Sequence, residues 1–360
     1  MKRICLTLAI LILFTSGCAY IDIDKRSFVL AIGIDKEDPE SSTFDIHLKI
    51  ALPSGEANQE AQAFILETEK ADSLAEGIEI IKQKADKELD FSHMKATLFG
   101  SNLKPKDVLT SLDWLKRRSD IQNISHIALA SPNALVALET KPSDKQYASL
   151  ALNTTLSQYI VESPFVASNF LFEFNRNRNE RGISPSLPVI ELDEEEVRIR
   201  DAMVLKGKDE WVEIDEEQVK FFNMLAHGLE NETLKVADEE QYFFVRFKSF
   251  RSDWKLEENA SKLHVQVNMK GDIEESSTHI NENKLEPYQQ QTEEELKKKI
   301  TSLLTMFREE NIDPLGLGLT YRATHFQSRD KEWEDWQKLY PDLEIDVDAD
   351  VELISPGLIK

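Results

Sequence analysis

The chain has 360 residues and a formal net charge of −23, with 66 acidic and 43 basic residues. This length is too great for one ordinary core and predicts two or three domains. So acidic a surface repels nucleic acid, and we expect no nucleic-acid partner. Hydrophobic residues make up 41% of the chain, which is enough for packed cores and excludes a wholly disordered protein.

The N-terminus has the order of a bacterial secretory signal that ends in a lipoprotein processing site. Two cations precede an apolar run over residues 6–14, and small residues then lead to Cys18. Thr15 stands where leucine is the common residue, three positions before the cysteine. An uncleaved transmembrane anchor is the alternative, but spanning a bilayer takes about 20 apolar residues. We therefore expect residues 1–17 to be a signal peptide and the thiol of Cys18 to be lipidated.

Cleavage at this site determines several properties of the mature chain. Removal of Lys2 and Arg3 leaves a charge of −25, and acyl chains, at ~0.8 kcal/mol per buried CH₂, must hold such a body at the membrane. With Cys5 in the signal and Cys18 lipidated, we expect neither a disulfide nor a thiolate metal site. Residues 18–27 are the predicted tether, which spans about 33 Å when extended and keeps the folded part near the bilayer.

Strands and helices alternate in the first half of the mature chain, which predicts an α/β-like region over 28–188 that can divide at residue 140 into subdomains 28–140 and 141–188. Hydrophobic patterns predict strands over 28–34, 44–52, 96–100 and 125–130, and helices over 73–89, 105–118, 131–138 and, in two pieces, 144–176. Ser73 and Glu76 form a capping box at the start of the first helix. The polar stretch 176–188 contains glycine and proline without periodicity, so it is the predicted linker.

The second half, residues 189–360, is predicted to be a C-terminal α+β domain. Strands are predicted over 197–205, 241–251, 263–274 and 345–353, and helices after Asp215, from Thr292 to Asn311, after Pro314 and around Trp333 and Trp336. The two tryptophans are interpreted as core residues, with an interface as the alternative. The whole chain is thus predicted to be a multi-domain α+β protein, with two to three domains in which helices pack on mixed sheets.

The last predicted strand contains an acidic motif, Asp346, Asp348 and Asp350, which raises a metal hypothesis. A calcium loop of the EF-hand type would also need glycine and glutamate where Val351 and Gly357 stand. The acidic residues alternate with apolar ones, which favours a solvated strand face whose charges discourage edge pairing. We therefore expect no metal site here.

The remaining sequence motifs do not indicate a catalytic or cofactor site. Gly316 and Gly318 lack the third glycine of a dinucleotide loop, and we interpret them as positions of close packing or a tight turn. The seven histidines are scattered, and the chain has no Walker loop, nucleophile elbow or zincin motif. We expect no enzyme activity, catalytic residue or cofactor.

Several segments, taken in order, resemble the Ger(x)C family, the C subunits of nutrient germinant receptors in endospore-forming Firmicutes. The segments are Ser27–Glu37, Ser92–Leu103, Leu112–Leu138, Asp201–Leu225, Leu263–Ser276 and Asn311–Leu319, followed by Trp333, Trp336, Tyr340-Pro341, the acidic strand and Pro356-Gly357. Two departures, Ala19-Tyr20 after the cysteine and Pro314, leave the receptor subgroup open.

This resemblance implies a non-enzymatic lipoprotein on the outer face of the spore inner membrane. Its implied partners are membrane-embedded A- and B-type receptor subunits that sense small nutrients, together with the bilayer that holds its acyl anchor. The implied architecture is α+β, commonly in three domains, and Cys18 is the one site residue that carries over. The alternatives are a lipid-anchored extracytoplasmic solute-binding protein, which needs two similar lobes around a cleft, and an exported hydrolase.

Overall fold

The structure is a computed structural model that describes residues 23–51, 64–139, 170–193, 196–228, 232–237, 241–257, 261–280 and 284–355. Cys18, the predicted signal peptide and most of the predicted helical stretch 144–176 lie outside these residues.

Nine strands of the described chain form a mixed sheet. They are β1 (Arg26–Asp35), β2 (Phe44–Ala51), β3 (Phe64–Ala71), β4 (Glu88–Asp90), β5 (Ala96–Gly100), β6 (His126–Ser131), β7 (Ser186–Asp193), β8 (Glu196–Lys206) and β9 (Glu210–Ile214). Their order is β3-β2-β1-β5-β6-β7-β8-β9, with β4 paired to the start of β1. Strands β1, β5, β6 and β7 run parallel, which explains why β1 is almost continuously apolar: Val29, Ala31, Ile32 and Ile34 are all fully buried.

Four helices of the described chain cover the two faces of this first sheet unequally. They are α1 (Leu74–Lys84), α2 (Pro105–Arg117), α3 (Ala134–Glu139) and α4 (Leu171–Asn179). Helices α1, α2 and α4 enclose a core with large residues such as Phe91, Phe99 and Phe174. The short helix α3 covers the opposite face, where small residues such as Ala31 and Ala96 allow its close approach.

A second sheet in the described chain contains four strands. They are β10 (Thr233–Ala237), β11 (Tyr242–Leu256), β12 (Lys262–Ser276) and β13 (Glu344–Ser355), in that order, with β13 parallel to β12 at the edge. The helices of this half are α5 (Glu216–His227), α6 (Glu286–Glu309), α7 (Leu317–Thr324) and α8 (Arg329–Leu339). The long helix α6 packs on β13, and its buried Leu296, Ile300 and Phe307 belong to the second core.

Strand β8 joins the two halves because its faces belong to different cores. Met203 and Leu205 pack in the core of the first sheet, whereas Ala202 and Val204 pack in the second core with α5. The chain is therefore an α+β protein with two domains, as predicted. We call them the first-sheet unit and the second-sheet unit; where one ends and the other begins along the chain stays a prediction.

The linker predicted over 176–188 is wrong. The stretch contains the end of α4, a turn over 180–185 and the start of β7. Pro188 is compatible with the strand because β7 pairs with β6 only from Val189 onward, so no ladder bond to β6 is lost. The predicted boundary between residues 188 and 189 thus falls within β7.

Three other boundaries also differ from the predictions. Helix α6 begins at Glu286 with a proline in its first turn, and Thr292 is buried within it, its hydroxyl donating to the carbonyl of Tyr288 (2.6 Å). Helix α1 ends at Lys84, and Leu89 lies in β4. The predicted tether over 18–27 is shorter, since a 3-10 turn occupies Ile23–Lys25 and β1 follows directly.

Candidate functional site

The predicted lipidation residue, Cys18, precedes the first described residue by five positions, so its modification stays a prediction. None of the described helices is both long and apolar enough to cross a bilayer. Among the same residues, no group of three histidine, cysteine or carboxylate side chains is placed to hold a metal ion. The site described below is a structural contact between the two halves.

We define the junction as the turn 180–184 of the first-sheet unit together with residues 312–322, which precede and form α7. Backbone hydrogen bonds cross it in both directions: Ser184 N–H donates to the carbonyl of Asp313 (2.8 Å), and Leu319 N–H donates to the carbonyl of Gly182 (3.1 Å). The Ser184 hydroxyl accepts from the N–H of Asp313 (3.0 Å). These bonds fix the turn against the start of α7.

Two glycines allow this contact. Gly182 has φ +95°, a conformation that favours glycine. A Cβ atom on Gly318 would lie 2.6 Å from the Cα of Gly182 and 2.7 Å from Nε1 of Trp336. The sequence reading of Gly318 as a position of close packing is confirmed, and Gly316, with φ +76°, makes the tight turn before α7.

Asp313 is the buried charge of the junction. Its carboxylate accepts from the N–H groups of Leu317 (2.9 Å) and Gly318 (2.7 Å), at the N-terminus of α7. Burial raises the pKa of Asp313 to about 6, although these hydrogen bonds oppose the shift. No lysine or arginine of the described chain forms an ion pair with it, so backbone donors alone stabilise the charge.

The rim of the junction is charged and more accessible. The guanidinium of Arg322 pairs with Glu180 and donates to the carbonyl of Arg181 (2.8 Å). Arg181 in turn pairs with Asp330 at the start of α8 (2.6 Å). Hydrogen bonding to Arg322 lowers the pKa of Glu180, although burial opposes the shift. The polar residues that predicted a linker are therefore the ones that bind the two halves together.

A second buried polar cluster lies beneath α3. The Asp35 carboxylate accepts from the N–H groups of Ala134 (2.8 Å) and Leu135 (2.9 Å), and His47 Nε2 lies 3.2 Å from it. Lys49 donates to the carbonyl of Leu138 (2.7 Å), and burial lowers the pKa of this lysine to about 8. The cluster holds α3 on the sheet, and it could not be predicted from the sequence because single polar residues within apolar strands form no motif.

The sequence motifs occupy structural positions. Asp348 and Asp350 are exposed on β13, while Val347 and Val351 are buried, as the alternation predicted. Asp346 pairs with Lys262 (3.1 Å), which places it in a surface ion pair. Trp336 is 2% exposed, which confirms it as a core residue.

A cleft of about 440 Å³ lies within the second-sheet unit. It is formed by the end of β11 and by α7, with the lining Trp254, Lys255, Leu256, Glu257, Thr320, Thr324 and His325. The two halves have sheets of different size and strand order, whereas a two-lobed solute-binding protein places its ligand between similar lobes.

Comparison with known proteins identifies the same architecture. Residues 19–192 match the family model "Spore germination protein N-terminal domain", and residues 200–357 match "Spore germination B3/ GerAC like, C-terminal". A solved structure, "Crystal Structure of the GerBC protein", is similar with a TM-score of 0.58 and 15% identity, covering 91% of this chain and 98% of that one. No curated protein sequence matches this chain.

Proposed function

Because the chain belongs to the Ger(x)C family of spore germination proteins, we propose that it is the lipid-anchored C subunit of a nutrient germinant receptor. The observation that carries the proposal is the order of the two family models, which together run from residue 19 to residue 357. The first model begins directly after Cys18, as expected for a chain whose mature N-terminus is that cysteine.

In this proposal, Cys18 carries the acyl chains and holds the body on the outer face of the spore inner membrane. Two or more acyl chains give stable attachment without a polybasic segment. The body assembles there with the membrane-embedded A- and B-type subunits and takes part in triggering germination. Its contribution is non-enzymatic: it supplies surfaces for assembly on a body whose two units are held together at the junction and at β8.

The solute-binding alternative has less support. The cleft beside α7 lies within one unit, whereas a solute-binding protein places its ligand between two similar lobes. Calorimetry on the mature chain with single amino acids and sugars separates the two readings. Tight binding of one nutrient to this chain alone would favour the alternative.

The proposal is tested in spores of a strain in which this receptor is the sole one that responds to nutrients. Deletion of the chain is expected to abolish the response, and the native chain restores it. Cys18→Ala is expected to leave the protein detached from the membrane and the response greatly reduced. A deletion strain with a normal nutrient response would contradict the proposal.

A further inference from the structure

One end of the first-sheet unit combines exposed apolar side chains with a local excess of positive charge. We call it the tether edge and define it by residues 24–28, 64–66, 84–95, 116–124 and 170–172. It lies at the N-terminal ends of the parallel strands β1, β5 and β6, and the described chain enters the fold there through Ile23–Lys25.

Strand register places the exposed apolar residues of this edge at one level of the sheet. Ile65 pairs with Ile50, which pairs with Val29 near the start of β1. His126 pairs with Ala96, and Ala96 pairs with Ala31, which lies two residues after Val29. Because Ile124 lies two residues before His126, it is at the level of Val29. Ile65 and Ile124 therefore mark the same end of the sheet on either side of β1.

These side chains are large and open to solvent. Ile124 is 60% exposed, Phe172 is 41% exposed and Ile65 is 38% exposed. Phe172 is fixed beside Ile124, because its N–H donates to the carbonyl of Asn123 (3.0 Å) and its ring stacks on Phe170. Ile124 and Phe172 thus form an exposed apolar pair at this end, and Ile65 lies at the same end on the other side of β1.

The charge of the tether edge is opposite to that of the whole chain. Its cations are Lys25, Arg26, Lys84, Lys87, Lys95, Lys116, Arg117 and Arg118. Its acids are Asp24, Asp86, Glu88, Asp90 and Asp120, together with Glu69, which pairs with Lys84, and Glu173, which accepts from the N–H of Phe170, for a net charge of +1. The C-terminus of α2 brings three of these cations there, and Arg118 lies over the ring of Phe91, 4.6 Å from its centroid.

The other end of the same strands is acidic. Residues 35–45, 70–76 and 101–107 contain the acids Asp35, Glu37, Asp38, Glu40, Asp45, Asp72, Glu76 and Asp107, and the cations Lys36, Lys70, Lys104 and Lys106, for a net charge of −4. Beside an anionic bilayer, this difference between the ends orients the unit with its tether edge toward the lipid.

The length of chain before the fold restricts the possible orientations. Five positions separate Cys18 from Ile23, which gives a reach of at most about 18 Å. Strand β1 is about 33 Å long at ~3.3 Å per residue, which is longer than this reach. The far end of β1 therefore cannot contact the membrane while the tether edge points away from it.

We propose that the tether edge is a membrane-contact surface, with Ile124 and Phe172 at the boundary of lipid headgroups and acyl chains and the cations on anionic phosphates. The inference rests on the proposed lipidation of Cys18, and it specifies which end of the first-sheet unit faces the bilayer. The partner is the bilayer rather than another protein chain, because the surface combines a few protruding apolar residues with a ring of cations close to the lipid anchor.

The test uses the full chain in membranes of the spore-forming host. The photo-crosslinking residue p-benzoylphenylalanine replaces Phe172, Ile124 or, as the control at the far end of β1, Glu37, whose side chain is 79% exposed. After illumination, phospholipid adducts at positions 124 and 172 are expected to exceed those at position 37 several-fold. A charge-reversed pair, Lys116→Glu with Arg117→Glu, is expected to lower the lipid adducts at position 124, while Lys104→Glu with Lys106→Glu at the opposite end of α2 leaves them unchanged.

The outcomes separate this inference from the proposed function. Adducts to a protein chain at positions 124 and 172 in place of lipid, or equal lipid labelling at all three positions, would overturn the inference. The mass of the N-terminal peptide in the same sample shows whether Cys18 is acylated. An acylated, membrane-bound chain without lipid adducts at the tether edge contradicts the orientation alone, whereas an unmodified chain contradicts the proposed function and the inference together.

Discussion

At the scale of single residues, the junction depends on a buried carboxylate that has no counter-ion among the residues that the structure describes. Asp313 is 7% exposed, and its pKa is raised from 3.8 to about 6. Between about pH 4 and pH 6 the folded chain therefore holds a proton that the unfolded chain has lost. The stability that this proton contributes is fully present below about pH 4 and is lost as the pH rises through about 6.

Replacing the carboxyl of Asp313 with an amide is expected to remove the contribution of this residue to the pH dependence of the free energy of unfolding. The shift in the pKa of Asp313 corresponds to about 3 kcal/mol. From about pH 4 to pH 7 the wild type should lose roughly that much free energy of unfolding relative to Asp313→Asn. Chemical denaturation followed by tryptophan fluorescence measures the difference. Asp350→Asn, on the exposed face of β13, is the control for the loss of one charge. If the free energy of unfolding of Asp313→Asn changed with pH in parallel with that of the wild type, Asp313 would not be the titrating group.

The turn at Gly182 is tested with a second glycine of similar backbone conformation. Gly182 and Gly207 both have positive φ, +95° and +65°, but a Cβ at Gly182 would lie 2.6 Å from the backbone of Gly318, whereas nothing lies within 4 Å of one at Gly207. Gly207→Ala should lower the free energy of unfolding by about 1–2 kcal/mol, the penalty of the left-handed conformation. Gly182→Ala should lower it by roughly a further 1–3 kcal/mol because the contact with α7 is overpacked. Equal losses would show that the junction is not tightly packed.

At the scale of elements, β13 closes the second core from the edge of its sheet. It pairs in parallel with β12 and packs against α6. Val351→Ala removes two methyl groups from a side chain that is 2% exposed and should lower the free energy of unfolding by about 2 kcal/mol. Its sequence neighbour Asp350 is exposed, so Asp350→Ala is the matched control and should change stability by less than about 0.5 kcal/mol. Thermal denaturation measures the stability of the two variants. A loss for Val351→Ala alone indicates a strand buried on one face, whereas losses for both variants would indicate a strand buried on both faces.

The elements that the sequence predicted correctly have a strong hydrophobic period or a functional cap. Ser73 does cap α1, since its hydroxyl accepts from the N–H of Glu76 (3.2 Å), and Asp215 caps α5 in the same way. Thr292 and Glu295 have the same pattern, yet a helix that begins at Glu286 passes through them. A capping motif therefore does not by itself exclude a helix that starts earlier.

Other elements depend on contacts between residues far apart in the chain. Strand β3 is largely exposed at the sheet edge and has no clean alternation, so its period was too weak to detect. The turn around Gly182 is ordered by α7, which lies more than a hundred residues later. The close-packing role of Gly318 was predicted from sequence, but its partner was not, because no local pattern specifies a tertiary contact.

At the scale of the whole molecule, the charge is distributed unevenly. The chain carries −23 overall, yet the tether edge, with the acids that bind it, carries a net +1 next to the predicted anchor. An anionic bilayer would repel a uniformly acidic body at every point of its surface. With this distribution, the bilayer repels mainly the acidic far end of the first-sheet unit. The acyl chains and the fold would then favour the same orientation.

Mass spectrometry of the native protein from spore membranes shows whether the chain is attached through a lipidated cysteine. We expect an N-terminal peptide that begins at Cys18 and carries a diacylglyceryl group, with residues 1–17 removed. A chain that retains its leader, or one that begins elsewhere with an unmodified Cys18, would contradict this expectation.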